Sequence, residues 1–314
     1  MISDPRATLA PVRAEFERQG FAVARQVLAP AHLDALRRHA FRASLLLLGR
    51  LGRMDLAGRL ASRSIERDLV DLERELPGFS VWATINPFLT HDLLEVALSA
   101  PLRALAAAVL GPGRLSLHPF MAMRCKVPGQ ALHDVPWHQD SAYLRSLDGV
   151  GSIVTMWIPC VATSPVNGGL QLSPSDARNS HELAHVPSVD ETGSWYLKLD
   201  ALPHGCAAHA VCTEPGDVVL FRHNVPHRSV PNGSSSTRLS FDMRYHLSGT
   251  ANGTTQPSLD IPVGAPDLAG VLPDDALRLI EVSRVRSFGY EPRALPVEPP
   301  WFDRWRPARQ AIAS

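Results

Sequence analysis

A histidine and an aspartate two positions apart, His138 and Asp140 in the segment PWHQDSAYL, could together bind a metal ion. In a strand, or in the loop that leaves it, residues i and i+2 point to the same side, so an imidazole and a carboxylate converge there. A second histidine, His227, lies 89 residues after His138 and follows the strand-like DVVLFRH. Two neutral imidazoles and one carboxylate on one face of a metal form the facial triad of non-haem Fe(II) centres, which leaves coordination positions open. The three residues therefore predict a metal site.

An arginine that could hold a metal-bound co-substrate follows on the next predicted strand. Arg238 lies eleven residues beyond His227, in the segment TRLSFDMRYHL. The planar guanidinium pairs with a carboxylate through two parallel hydrogen bonds, which a lysine cannot do. A keto acid that chelates the metal at one end would need such a group at its other end.

Other histidines compete with these ligands. We interpret His223 as a strand-end residue near the site and His133 as an exposed loop residue. The connection 176–210 is polar and unusually long, and such a loop in a compact domain is more often functional than decorative. It contains four histidines and two aromatic residues: His181, His185, His204, His209, Trp195 and Tyr196. Because their spacing matches no usual ligand pattern, we interpret the connection as a substrate-facing or solvated loop and not as a second metal site.

The elements that must position these residues begin with a helical N-terminal region. Leu33 and Leu36 follow Pro30 at helical spacing, and Pro30 is a helix start signal. The charged stretch 62–78 is amphipathic and predicts a helix with one solvated face. Pro101 is expected to divide a further apolar stretch into two helices.

Strand-length segments replace the helical pattern from about residue 115. Short apolar runs alternate there with turn residues: LSLHPFMAMRCKV, SIVTMWIPCVA, GGLQLSP, DVVLFRH and TRLSFDMRYHL. Several short strands with long connections favour a β-sandwich or jelly roll over alternating βαβ units.

Composition and charge exclude several classes of protein. The 31 basic and 31 acidic residues cancel, and no basic stretch is dense enough to follow a row of phosphates, so no nucleic-acid partner is expected. The longest apolar runs are far too short to span a membrane, and the N-terminus lacks the apolar segment of a secretory signal. Four cysteines are too few and too unevenly spaced for a disulfide framework or a zinc site, and we expect them to be buried in a reducing, cytoplasmic environment: Cys125, Cys160, Cys206 and Cys212.

Taken together, the motifs resemble those of the phytanoyl-CoA dioxygenase family of 2-oxoglutarate-dependent oxygenases. The resemblance rests on the HxD motif, on GDVVLFRHNVPHRSVPNGSSSTRLSFDMRY, and on Trp157 followed by the block Asn167–Leu170 and Pro174. The family's N-terminal strand and helix start resemble GFAVARQVL. The resemblance covers about residues 15–248. Many relatives continue after the proline with Gly-Ser-His, where this chain has Ser175 and Asp176.

The resemblance implies a mainly β fold, a double-stranded β-helix (a cupin-like jelly roll) with flanking N-terminal α-helices. We predict one domain over 1–314, with a helical flank at 1–113, the β-helix core at 114–248 and a C-terminal extension at 249–314. One short helix is expected in the extension, at 274–284.

The resemblance also implies the cofactors and the residues that bind them. The cofactors are Fe(II), 2-oxoglutarate as co-substrate, and O₂. The iron ligands are His138, Asp140 and His227. The 2-oxoglutarate residues are Arg238 for the distal carboxylate, Ser229 or Ser240 in support, and Trp157 and Lys126 in the pocket wall. Relatives that halogenate have Gly or Ala in place of the metal carboxylate, so Asp140 favours hydroxylation, desaturation or a related oxidation.

The expected substrate is a small or medium polar molecule from secondary or amino-acid metabolism. A long acyl-CoA would need a cationic cluster for its phosphates, and none is evident in the sequence. Two other classes stay open: a cupin-like metallo-hydrolase or isomerase that uses the triad with Zn²⁺ or Mn²⁺, and a non-catalytic binding module. In the first, Arg238 would have no co-substrate to bind; the second would not need the triad and Arg238 together. The sequence leaves the oligomeric state open.

Overall fold

The N-terminal flank folds as helices, as the sequence predicts. The computed structural model describes residues 5–85, 89–143, 153–174, 182–188, 196–202, 207–254 and 257–261, and the statements below refer to these ranges. Their helices are α1 (Pro5–Gln19), α2 (Pro30–Arg50), α3 (Ile65–Glu75), α4 (Phe79–Ile85), α5 (His91–Ala97) and α6 (Ala100–Leu110), with a 3-10 turn at Met54–Arg59. The first strand, β1 (Phe21–Ala24), lies between α1 and α2.

Two prolines explain where α2 and α6 begin. Pro30 stands in the first turn of α2, where a missing N–H costs nothing because first-turn N–H groups have no partner in the helix. Pro101 occupies the same place in α6, so the apolar stretch divides into α5 and α6. The charged stretch forms α3, which turns an apolar side inward: Ile65, Leu69, Val70 and Leu72 are buried.

The remaining strands follow residue 114. They are β2 (Leu115–Leu117), β3 (Ala122–Lys126), β4 (Val154–Pro159), β5 (Leu170–Leu172), β6 (His185–Ser188), β7 (Tyr196–Leu199), β8 (His209–Val211), β9 (Val218–Arg222), β10 (His227–Ser229), β11 (Arg238–Leu247) and β12 (Leu259–Asp260). Six of them, β2, β3, β4, β5, β9 and β11, coincide with the predicted apolar runs.

All of these strands except β6 and β7 belong, with β1, to two antiparallel sheets that face each other. In the described residues the larger sheet has the order β1-β9-β4-β11-β2-β12, and β3 pairs with the first half of β11. The smaller sheet has the order β10-β5-β8, and β6 and β7 form a separate hairpin. This mainly antiparallel β architecture with flanking helices is the fold class that the sequence predicts.

Alternation along β11 separates two cores. Leu239, Phe241, Met243 and Tyr245 are buried on the outer face of the larger sheet, in a cluster that includes the helices. The other residues of the strand point to the inner face, because successive side chains of a strand alternate. Apolar residues close the rest of the space between the sheets: Phe21, Trp157, Leu170, Leu172, Val211, Val219, Phe221 and Val225. Each fully buried side chain of this size contributes about 1.5–3 kcal/mol.

Two expectations from the sequence need correction. The connection 176–210 is not a loop throughout, since it contributes the hairpin β6-β7 and part of β8. Cys125 and Cys160 are buried as expected, but Cys212 is exposed, and Cys206 lies outside the described residues. The helix expected at 274–284 also lies outside them.

No single helix in the described ranges is long and apolar enough to cross a membrane. The helices α5 and α6 reach that length and composition only together, and they are bent by 45° where they meet.

Candidate active site

The three predicted metal-binding side chains come together where the two sheets approach each other. His227 opens β10, and its backbone pairs with that of His138 through two hydrogen bonds of 2.9 and 3.0 Å. Asp140, two residues after His138, is the first residue of a short 3-10 turn. Its Oδ1 lies 3.9 Å from Nε2 of each histidine, within twice the metal–ligand distance of about 2.0–2.2 Å. A single ion can therefore contact all three side chains, which are all buried.

Hydrogen bonds at the far side of each imidazole fix which nitrogen faces the metal position. Nδ1 of His138 donates to the carbonyl of Pro136, and Nδ1 of His227 donates to that of Val225, both at 2.9 Å. Burial lowers the pKa of both histidines, and His227 lowers that of His138 further, so the rings are neutral. Each Nε2 therefore presents a lone pair, as a metal ligand requires.

Two residues that the sequence analysis missed hold the carboxylate of Asp140. Arg244 on β11 donates to both oxygens, from Nε to Oδ2 and from Nη2 to Oδ1, at 3.0 Å each. The hydroxyl of Thr155 on β4 donates to Oδ2 at 2.8 Å. Burial alone would raise the pKa of Asp140, but the charge of Arg244 and the hydrogen bond from Thr155 hold it well below its usual range. The carboxylate is thus ionised, and Oδ1 is turned toward the histidines.

Arg238 lies on the same inner face of β11, six residues before Arg244. Its side chain is buried, its Nε donates to the carbonyl of Gly168 at 3.0 Å, and its Nη1 donates to Ser240. The guanidinium also stands over the ring of Trp157, 5.4 Å from the centroid. Burial lowers the pKa of Arg238 to about 10, so it remains a cation at neutral pH. In the described residues no carboxylate lies within 4 Å of it, and Asp242 raises its pKa only from a greater distance, so the guanidinium can pair directly with an anionic ligand.

The Asn-Gly block of the sequence builds the turn that supports Arg238. The Asn167 side chain accepts from the backbone N–H of Ser164 at 2.8 Å and so closes the turn. Gly168 follows with φ +83°, a conformation that glycine adopts without strain. A Cβ at Gly168 would lie 2.6 Å from Cδ of Lys126, so only glycine fits beside that side chain.

Lys126 is held by three acceptors beside Arg238. Its Nζ donates to the carbonyl of His133 at 2.7 Å, to Asp134 at 2.6 Å and to the hydroxyl of Ser229 at 3.1 Å. Burial lowers the pKa of Lys126 to about 8, against the opposing effect of Asp134. Lys126 and Ser229 line the same cavity as Arg238.

The cavity joins the metal position to Arg238. The space between its walls amounts to about 520 Å³ when the open mouth is counted. All the predicted site residues except Asp140 and Ser240 line it, and those two contact residues in its wall, Arg244 and Arg238. The structure thus brings all eight together.

The hairpin β6-β7 packs on the segment that carries His138 and Asp140. Nε2 of His185 accepts from the backbone N–H of Gln139 at 3.0 Å, and the N–H of Leu199 donates to Trp137 at 2.7 Å. His185 is therefore a structural residue of the site. The other histidines of the predicted loop are exposed, as His209 is, or lie outside the described residues, as His181 and His204 do. Trp195 also lies outside them, and Tyr196 lines the cavity.

Two further histidines needed a structure to interpret. The sequence analysis expected His133 to be exposed, but it is buried. Its Nε2 forms a hydrogen bond of 2.9 Å with the hydroxyl of Ser80 in α4. His223 follows β9 directly, as expected of a strand-end residue, and its Nδ1 contacts the backbone of Ile153 at 3.3 Å.

Three solved structures illustrate the fold that this chain shares with known proteins. The non-haem monooxygenase ThoJ has a TM-score of 0.60 at 17% identity, over 88% of this chain and 95% of its own. EvdO2 from Micromonospora carbonacea var. aurantiaca, in complex with 2-oxoglutarate, has a TM-score of 0.52 at 19% identity, over 79% and 94%. The α-ketoglutarate-dependent carbocyclase SnoK from nogalamycin biosynthesis has 0.52 at 16%, over 78% and 87%. The likeness confirms the cupin-like fold.

The sequence itself matches the phytanoyl-CoA dioxygenase (PhyH) family over residues 16–240, more than half of the chain. The match spans most of the helical flank, all three residues of the triad and Arg238. The resemblance inferred from the motifs is confirmed: the chain belongs to the phytanoyl-CoA dioxygenase family of Fe(II)- and 2-oxoglutarate-dependent enzymes.

Proposed function

We propose that this protein is an Fe(II)/2-oxoglutarate-dependent oxygenase that hydroxylates, desaturates or otherwise oxidises a small or medium polar metabolite of secondary or amino-acid metabolism. The observation that carries the proposal is Arg238. A buried guanidinium without a carboxylate partner in the described residues stands in the same cavity as a His-Asp-His triad. A cation in that setting fits the far carboxylate of a keto acid chelated at the triad.

The residues present fit the iron. His138 and His227 offer neutral Nε2 atoms and Asp140 one carboxylate oxygen, which is the donor set of the facial triad. When bound, iron supplies the activation of O₂ that couples decarboxylation of 2-oxoglutarate to succinate and CO₂ with oxidation of a C–H bond.

The protein's own residues supply binding and orientation. Arg238 would donate hydrogen bonds to the distal carboxylate of 2-oxoglutarate, and Ser240 orients its guanidinium by accepting from Nη1. Lys126 and Ser229 add a second polar wall, and Trp157 covers the guanidinium with an apolar face. Such fixed positioning places the reacting groups together at no cost during the reaction.

Arg244 and Thr155 keep the metal carboxylate in one orientation. Together they donate two hydrogen bonds to Oδ2 of Asp140 and one to Oδ1. Rotation of the carboxylate would therefore break three hydrogen bonds. The ligand set therefore needs little rearrangement when a metal binds.

The test is an anaerobic titration of the Fe(II)-loaded protein with 2-oxoglutarate, followed in the visible spectrum. A weak charge-transfer band at roughly 500–530 nm is expected for a keto acid chelated at a facial triad. Bound metal without a band would favour the hydrolase or isomerase alternative, and absence of bound metal would favour the binding module.

Two variants assign the residues. His138→Ala should abolish stoichiometric iron binding. Arg238→Ala should keep the iron but raise the 2-oxoglutarate concentration at half-saturation by about 100-fold, since two charge-assisted hydrogen bonds are lost. Arg67→Ala, an exposed arginine of α3, is the matched control and should leave both values unchanged. Iron bound normally by the His138 variant would refute the ligand assignment.

A further inference from the structure

We propose that Arg124 and Asp242 form the substrate-recognition site of this enzyme, and that they select a substrate with a carboxylate next to an ammonium or hydroxyl group, as in an α-amino or α-hydroxy acid. The inference rests on the proposed function, because it names the substrate class for that cavity. Neither residue belongs to the triad or to the set around Arg238.

Strand register places the pair on the inner face, with Asp242 beside its register partner Trp157 and displaced along β11 from Arg238. Asp242 lies on β11 between Arg238 and Arg244, four positions after Arg238, so that about 13 Å of strand separates the two Cα atoms. Arg124 lies on β3 opposite Ser240. Both Arg124 and Asp242 line the cavity.

The contacts within the pair leave its ligand-binding atoms unused. Nε of Arg124 donates to Oδ2 of Asp242 at 2.8 Å, which turns the guanidinium toward Asp242. In the described part of the chain, Nη1 and Nη2 of Arg124 and Oδ1 of Asp242 make no hydrogen bond that the geometry shows. By contrast, all three nitrogens of the Arg244 guanidinium donate hydrogen bonds: Nε and Nη2 to Asp140, and Nη1 to the carbonyl of Phe120. Arg124 is thus a cavity cation whose position is fixed and whose outer N–H groups are available.

Charge favours an anionic substrate. Five cations line the cavity, and three of them pair with carboxylates of Asp134, Asp140 and Asp242. They are Arg124, Lys126, Arg228, Arg238 and Arg244. The two charges of Fe(II) and the two of 2-oxoglutarate cancel, so the loaded site keeps a net positive charge among these groups. A substrate with a carboxylate would reduce that charge, whereas a cationic substrate would be repelled.

The geometry of the two side chains matches a bifunctional ligand group. Two terminal N–H groups of a guanidinium fit the two oxygens of a carboxylate. The remaining oxygen of Asp242, beside them, fits a hydrogen-bond donor on the neighbouring carbon. An α-amino or α-hydroxy acid carries both groups at that spacing.

The experiment uses the anaerobic Fe(II)- and 2-oxoglutarate-loaded protein and a panel of L-α-amino acids, their α-hydroxy analogues and their carboxamides. Perturbation of the visible band gives a half-saturation concentration for each compound, and succinate release in air gives a second readout. We expect at least one acid to bind tenfold or more tightly than its amide, which lacks the charge. Comparison of the amino acid with its hydroxy analogue shows whether Asp242 accepts its hydrogen bond from an ammonium or from a hydroxyl group.

The variant Arg124→Gln should raise that half-saturation concentration at least tenfold while changing that of 2-oxoglutarate less than twofold. Because the single change leaves Asp242 without its partner, the double variant R124Q/D242N, which removes both charges, repeats the test in a neutral pair. Arg67→Gln is the control.

Three results would overturn the inference: amides that bind as well as acids, a panel in which no acid perturbs the loaded site, or a tenfold loss of 2-oxoglutarate affinity in the Arg124 variants. The last would place Arg124 in the co-substrate site. A wild-type protein that shows no 2-oxoglutarate band would instead refute the proposed function, and this inference with it.

Discussion

Replacing Thr155 by valine tests whether the groups behind Asp140 set the metal affinity. The two side chains have nearly the same shape, so Thr155→Val deletes one hydroxyl from a position that is completely buried. The loss removes the 2.8 Å hydrogen bond to Oδ2 of Asp140 and leaves that carboxylate to Arg244. The triad residues and Arg238 are unchanged.

The expected loss of Fe(II) affinity follows from the charge of the Asp140 carboxylate that accepts the hydrogen bond. A hydrogen bond to an ionised group contributes about 1.5–3 kcal/mol, twice that of a neutral pair. If the bond serves to orient the metal ligand, its loss should weaken Fe(II) binding by about 10- to 100-fold, the usual range for partners of metal ligands. Arg244 keeps the carboxylate ionised, so binding should be weakened and not abolished.

The assay is anaerobic competition for Fe(II) with a chromophoric chelator, together with thermal unfolding of the metal-free protein. The matched control is Thr163→Val, which also removes one buried hydroxyl, here from the 2.6 Å contact between Thr163 and Thr213. Both variants should lose some stability, but only Thr155→Val should lose metal affinity. Fe(II) dissociation constants of the two variants that agree within twofold would refute the reasoning.

Two further predictions concern the turn beside Arg238 and the helical flank. Gly168→Ala should lower the free energy of unfolding by about 1–2 kcal/mol because of the positive φ at this position, and should weaken 2-oxoglutarate binding several-fold by displacing Lys126. Gly58→Ala is the control, because the space around a Cβ at Gly58 is open. Unchanged 2-oxoglutarate binding in Gly168→Ala would contradict this explanation. Burial lowers the pKa of His39 to about 4, so the folded state holds it neutral, and its contribution to stability is complete above pH 6.5 and is lost as pH falls toward 4. At pH 5 this loss is about 2 kcal/mol relative to pH 7. His39→Gln should therefore flatten the pH dependence of urea unfolding of the metal-free protein, whereas the exposed His91→Gln should not; equal slopes for both variants would show that His39 is not responsible.

The sequence predicted the parts of the site that local spacing encodes. An i, i+2 pair identified His138 and Asp140, and the apolar runs coincide with the strands. The sequence also shows Arg244, as the fourth polar residue in the alternation of RLSFDMRYHL, but it does not show that Arg244 lies beside Thr155 and donates to Asp140. The pairing of Arg244 with Thr155 across β11 and β4 depends on strand register, which no local pattern contains. Similarly, His133 is buried by Ser80, 53 residues earlier in the chain.

The metal position has a mechanical consequence, because its ligands belong to different sheets. His227 is part of β10 in the smaller sheet, whereas Asp140 is fastened to the larger sheet through Thr155 and Arg244. An ion held by both links segments that are 87 residues apart in sequence, and because it binds the folded site and not the unfolded chain, its binding free energy stabilises the contact between the two sheets. Removing the ion should therefore speed amide hydrogen exchange most in β5, β8 and β10. The iron of this enzyme would then fasten its two sheets together as well as carry out its chemistry.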